Sequence, residues 1–247
     1  MKKYILLIGF FALTTACNMG TPAPEIESAP TATLLSLPIP TTETPTIPPL
    51  PTETPTPAPP PPLFFTDEFD APSDFWEFQQ AGGNGSPLAA FENGVLRIDI
   101  PLADTWYLGV YHAHAYSNVT VRAKISASAS GSMGLICRYD PSKGWFEFNI
   151  DNSGTYSLLL GQWLAPGVAK YIPIISDGSS QLYLGNLNSE IGLACQENTL
   201  SLYANEALIR RLDVTNYGLE EGNVGISAAS FAEPMMAAFD WLKISEE

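Results

Sequence analysis

MGLICRYDPSKGWFEFNIDNSGTYSLLL, residues 133–160, is the stretch on which the fold turns. It reads as three consecutive strands, Gly134–Tyr139, Trp145–Ile150 and Thr155–Leu160. Asp140-Pro-Ser-Lys-Gly144 turns the chain between the first two. Asp151-Asn-Ser-Gly154 supplies the local hydrogen bonding and positive φ of a hairpin loop before the third. The middle strand alternates strictly, with Phe146, Phe148 and Ile150 on one side and Trp145, Glu147 and Asn149 on the other. A period of two separates those sets onto opposite faces of a sheet, which predicts one core face and one wet face.

Outward from this meander the same pattern repeats. Strands are expected at 64–69, 94–100, 106–112, 118–125, 181–184, 191–196, 199–204, 207–212, 222–228 and 237–244, and no window of helical period competes with them. About a dozen short strands with turns every 8–12 residues predict an all-β sandwich or barrel over residues 63–247, long enough for one sizeable core.

The first 62 residues are different in kind. Met1–Ala16 carries two lysines, an apolar run from Tyr4 to Leu13 and small residues before Cys17, the shape of a secretory signal too short to span a bilayer. Leu13-Thr-Thr-Ala-Cys17 resembles the bacterial lipobox, with Thr14 where leucine is commoner. The resemblance implies that Cys17 is lipidated, becomes the mature N-terminus and holds the protein at a membrane surface; cleavage beside an unmodified Cys17 is the alternative. The expected location is therefore the bacterial cell envelope, outside the cytoplasm. Residues 17–62 then form a Pro/Thr-rich linker: from Asn18 to Pro62 there are 15 prolines and 10 threonines, and TETPT occurs at 42–46 and again at 52–56. Such a segment cannot build a core and acts as a stiff tether, reaching about 140 Å as polyproline II.

Acids outnumber bases 26 to 11, for a net charge of −15, and loss of Lys2 and Lys3 with the signal makes the mature chain more acidic still. That charge argues against nucleic acid and against electrostatic binding to anionic lipid, leaving the lipid anchor as the membrane contact. Cys137 and Cys195 are the cysteines left after Cys17, and both fall in phase with inward-pointing neighbours. In an exported protein two inward cysteines read as a disulfide, with two buried free thiols as the alternative.

Five motifs, in order, resemble a concanavalin A-like jelly roll: FTDEFD (65–70), the 134–159 meander, NTLSLYANEALI (198–209), GNVGISA (222–228) and FDWLKI (239–244). More narrowly they resemble the lectin/glucanase-type domains of bacterial surface proteins, including those related to 3-keto-disaccharide hydrolases. The resemblance covers nearly all of 63–247 and implies two curved antiparallel sheets, the concave one often binding sugar; similar domains also often carry cysteines at the places of Cys137 and Cys195.

On the expected wet face, Trp145 would stack on a sugar ring while Arg138, Glu147, Asn149 and Ser157 supply hydrogen bonds, and Trp106, Tyr107 and Trp163 are further rim candidates. Glucanases of this fold carry a Glu-x-Asp-x-(x)-Glu strand. Here Glu147-Phe-Asn-Ile-Asp151 has an amide in the middle and no second glutamate, short of the two carboxyls that retaining hydrolysis requires. His112-x-His114 has a metal-like spacing without further ligands in the sequence nearby. Jelly rolls of this kind often hold a calcium between first and last strands, and Asp67, Glu68, Asn93 and Asp240 could supply its oxygens. The sequence thus predicts a surface-tethered, non-catalytic carbohydrate-binding module. Two alternatives stay open: a glycoside- or 3-keto-disaccharide-processing hydrolase using Glu147 as base, and a structural or adhesive envelope protein. Ligand identity and oligomeric state are not encoded in any motif.

Overall fold

The computed structural model describes residues 61–128, 130–185 and 187–246. The expected signal at 1–16, Cys17 and the expected tether as far as Pro60 lie outside the described residues. Fifteen strands follow one another: β1 Phe65–Asp67, β2 Trp76–Gly82, β3 Leu88–Phe91, β4 Leu96–Ile100, β5 Thr105–Tyr116, β6 Val119–Ala127, β7 Gly131–Asp140, β8 Gly144–Asp151, β9 Thr155–Ala165, β10 Val168–Gly178, β11 Ser189–Gln196, β12 Thr199–Ala204, β13 Ala207–Asp213, β14 Gly222–Ser230 and β15 Met235–Ser245. One 3₁₀ turn, Thr215–Tyr217, precedes β14.

They form two antiparallel sheets. One runs β13-β12-β11-β6-β15-β4-β3 with β1 also paired to β15, and the other runs β10-β9-β8-β7-β14-β5-β2. Between them lies the main core, into which Phe146, Phe148 and Ile150 of β8 project against Val121, Ile125, Leu193 and Phe239 of the eight-stranded sheet. The expected alternation of β8 is therefore present, and the two sheets make the jelly-roll sandwich. Cys137 on β7 and Cys195 on β11 are both fully buried and form a disulfide that ties the two sheets together.

Three strands escape the sequence pattern. β2 is irregularly buried, β3 has only four residues, and β10 carries Pro173 in its middle with a register shift beside it. Proline cannot donate to a ladder and so is confined to edge strands, and β10 is an edge. Conversely, Gln181–Leu184 alternates but is a turn: Leu182 plugs the core while Tyr183 and Leu184 stay exposed.

β2 and β10 are the two edges of the seven-stranded sheet, and that sheet curls until they approach each other. Gly82 N at the end of β2 donates to Gly167 O in the β9–β10 turn at 3.0 Å. The curl turns the concave face into a near-closed trough.

Candidate functional site

The ladder lays out the concave face residue by residue. Across β9, β8, β7, β14 and β5, Asn149 stands beside Ser157 and Gly134, then come Ser227 and Leu108. One row along, Glu147 lies between Leu159 and Ile136. Trp145 sits opposite Gly161, whose missing side chain makes room for the indole: a Cβ there would come within 2.2 Å of the Trp145 ring.

This face is not wet. Trp145 and Glu147 are 0% exposed and Asn149 3%. Ala81, Leu108, Val110, Ile136 and Tyr139 pack with Trp145 into a second apolar cluster, flanked by Trp106, Trp163, Ala169 and Tyr171. Trp145 lies 5.3 Å from Trp163 and 5.9 Å from Tyr171, and Trp106 stacks on Tyr171 at 5.6 Å. The expectation that Trp145, Glu147 and Asn149 share a solvated face is therefore corrected: the phase is right, but the protein's own aromatics fill the space a ligand would take. Trp145 cannot stack on a sugar in this arrangement.

Within the filled face runs a polar thread. Trp145 Nε1 donates to Glu147 Oε2 at 2.9 Å, Asn149 Nδ2 donates to Glu147 Oε1 at 2.9 Å, and Ser227 Oγ donates to Asn149 Oδ1 at 3.0 Å. Burial pushes the Glu147 carboxyl above the usual carboxylate range, and the donated hydrogen bonds oppose it. The Tyr171 hydroxyl is buried with no hydrogen-bond partner among the described residues, and burial plus the Glu147 charge pushes it up strongly. Ser157, half-buried, is beside Asn149 as expected and lines a small cavity of about 110 Å³ with Ser132, Asp151 and Thr155.

Arg138 goes elsewhere. Its φ of +52° and a register shift between Cys137 and Asp140 turn it off the face. The guanidinium, 1% exposed, donates to three main-chain carbonyls, Leu219 at 2.8 Å, Ser117 at 3.2 Å and Glu197, pinning three loops at the end of the sandwich. Its assignment to a sugar site beside Trp145 is thus corrected as well. Tyr107, named as a rim candidate, stacks on Phe78 at 5.6 Å against the main core.

What remains open is the mouth of the trough. Between β2 and the β9–β10 hairpin lies a cleft of about 530 Å³ lined by Glu77, Gln79, Gln80, Tyr139, Trp163 and Leu164, with Pro141, Pro166 and others at its rim. Trp163 Nε1 donates to the Tyr139 hydroxyl at 2.9 Å, which donates to Gln79 Oε1 at 3.2 Å. The relay fixes a half-buried indole beside two amides and a carboxylate. Of these residues only Trp163 was singled out by sequence. The Tyr139 and Gln79 contributions depend on the Arg138 bulge and on β2, neither of which a period-two pattern reveals.

The expected calcium ligands fare unevenly. Asp67 accepts from Phe69 N at 2.9 Å on one carboxylate oxygen and from Trp76 Nε1 at 3.0 Å on the other. Glu68, Asn93 and Asp240 are exposed, and the Glu68 carbonyl and Asp70 Oδ1 approach Gly94 in the neighbouring turn. Among the described residues no group of three or more His, Cys, Asp or Glu side chains is placed to hold a metal. His112 and His114 each direct Nε2 at a main-chain carbonyl, of Asp74 and Pro61 respectively.

No family model matches the chain, and no curated protein matches it. Solved structures do. A GH16 enzyme of Bacteroides ovatus acting within mixed-linkage glucan use, in complex with product, shares 10% identity over 73% of this chain and 99% of its own, with a TM-score of 0.51. The catalytic domain of an endo-1,3-β-glucanase (laminarinase) from Thermotoga petrophila shares 11% over 73% and 95%, TM-score 0.50. A carbohydrate recognition domain in its potassium-bound form shares 11% over 73% and 94%, TM-score 0.50. At these identities the likeness is one of fold, and it agrees with the topology above: the described domain has a two-sheet antiparallel jelly-roll fold.

Proposed function

We propose that the protein is a carbohydrate-binding module carried on a lipid-anchored tether at the bacterial cell envelope, and that it reads glycans at the mouth of the concave face. The observation that carries the reading is the cleft between β2 and the β9–β10 hairpin, where Trp163 is oriented by Tyr139 and flanked by Gln79, Gln80 and Glu77. An indole face beside amide and carboxylate hydrogen bonders suits a sugar ring. The names of the structural neighbours, glucanases and a carbohydrate recognition domain, point to the same ligand class. Binding is favoured over hydrolysis because, of the two carboxylates on the strand corresponding to the glucanase motif, Glu147 is buried beside Trp145 and hydrogen-bonded on both oxygens, while Asp151 is taken up by the hairpin turn, accepting from Ser153 N and Oγ at 2.8 and 2.6 Å. In this reading Cys17 carries the lipid and the Pro/Thr tether holds the domain off the membrane. A structural calcium would draw its oxygens from Asp67, Glu68, Asn93 and Asp240; a rise in melting temperature on calcium addition tests that.

The function is tested by a glycan-array screen of the mature chain followed by product analysis on each hit. Saturable binding without sugar release is expected. Release of product from a bound glycan would replace the module by an enzyme, and an array without hits would favour an adhesive protein.

A further inference from the structure

The outward face of the eight-stranded sheet carries a second groove. Register places Thr120, Ala194, Ser201 and Arg211 in one row across β6, β11, β12 and β13. Three strand spacings give a row of roughly 15 Å. Thr120, Ala194 and Ser201 point away from the core yet are only 5%, 7% and 7% exposed, because taller neighbours rise on both sides. On one side stand Arg122 and Tyr203, with Gly192 between them in the ladder; the Arg122 guanidinium lies 5.0 Å over the Tyr203 ring. On the other stand Asn118, Gln196 and Thr199. The groove encloses about 550 Å³.

We propose that this groove binds an anionic saccharide, a short run of uronate-type units, independently of the concave-face cleft. Its floor offers two hydroxyls and a methyl, its walls offer two amides, a hydroxyl, a tyrosine ring and the Glu197 carboxylate of the β11–β12 turn, and Arg211 is the one cationic residue among those lining it. That is the donor-and-acceptor set that sugar hydroxyls need. The anionic class follows from Arg211. Its Nε donates to Ser201 Oγ at 3.3 Å, which aims the guanidinium along the row, and among the described residues no acid pairs with it. Arg122, by contrast, is paired with Glu190 at 3.2 Å. In a chain of net charge −15, an exposed guanidinium left unpaired at the end of a polar groove is selective for a carboxylate, which it engages as a two-pronged donor. A peptide strand suits the place less well, since β6, β11 and β12 are paired on both sides and offer no free backbone edge.

Calorimetry of the full chain with oligogalacturonate and oligomannuronate, against a cello-oligosaccharide of equal length, tests the proposal. Uronate binding is expected, weakened by added salt. Arg211→Ala and Tyr203→Ala should each weaken it at least tenfold, Arg211→Lys less, and Trp163→Ala should leave it unchanged. Arg211 is exposed, so an unaltered melting temperature is expected for its variants. Silence toward both uronates, equal affinity for the neutral oligomer, or undiminished uronate binding by Arg211→Ala would each overturn the assignment. Loss of uronate binding in Trp163→Ala would place the ligand in the concave-face cleft instead.

Discussion

Trp145 and Glu147, two residues apart on β8 and both fully buried, are joined by a 2.9 Å hydrogen bond from the indole Nε1 to the carboxyl Oε2. A carboxyl in such a place works against the fold when it ionises, and the other oxygen is already taken by Asn149 at 2.9 Å. The pair therefore couples the filling of the concave face to pH.

The sign follows from the raised folded-state pKa of Glu147. Between the unfolded carboxyl value and the higher folded one, the native state holds a proton that the unfolded state has lost. Stability must then fall as pH rises through that window, by at most about 1.4 kcal/mol per pH unit for one proton. Urea melts at a series of pH values should show this decline in the parent protein and lose it in Glu147→Gln. An identical pH slope in both would show that Glu147 ionises freely in the fold.

Trp145 is a core residue, so Trp145→Ala should cost about 3–5 kcal/mol of stability, as large-to-small changes in a packed site do. Gly161→Ala should also destabilise, because its Cβ would meet the Trp145 ring at 2.2 Å and neither side has room to give. Thermal melts of the two variants check both. A Trp145→Ala protein as stable as the parent would mean that the concave face is open.

The Cys137–Cys195 bond closes a loop with a sequence separation of 58, which in the chain-entropy model is worth about 4 kcal/mol. Cys137→Ser combined with Cys195→Ser, or reduction under mild denaturant, should lower the unfolding free energy by an amount of that order. A loss of less than about 1 kcal/mol would show that the inter-sheet packing needs no covalent tie.

Arg138 holds the loops around Ser117, Glu197 and Leu219 through their carbonyls. Arg138→Met keeps the stem but leaves those acceptors without their donor, at a cost of about 3 kcal/mol. Hydrogen exchange should accelerate across residues 215–221 and 197–198 while β7 and β8 stay protected. Uniform acceleration over the whole domain would indicate a general core defect instead.

The alternation of Trp145–Ile150, the inward phase of both cysteines and the succession of short strands were all legible, because each is a local periodicity. What was not legible is which face of β8 meets water. That depends on the curl that brings β2 to β10, and those are the edge strands the pattern missed, one irregular in burial and the other interrupted by Pro173. Arg138 was misplaced for a related reason: a bulge resets the phase, and nothing in Cys137-Arg-Tyr-Asp140 announces a positive φ at arginine. The hydroxyl-lined groove on the opposite sheet was equally hidden, since Thr120, Ala194, Ser201 and Arg211 become neighbours only through register.

The central claim is that ligand is read at the mouth of the concave face and not within it. Calorimetry of the best glycan-array hit against the parent and Trp163→Ala, with melting temperatures measured alongside, tests it most directly. The account predicts that Trp163→Ala loses at least tenfold in affinity while remaining folded, as expected for a half-buried aromatic anchor. Unchanged affinity in a folded Trp163→Ala protein would contradict it.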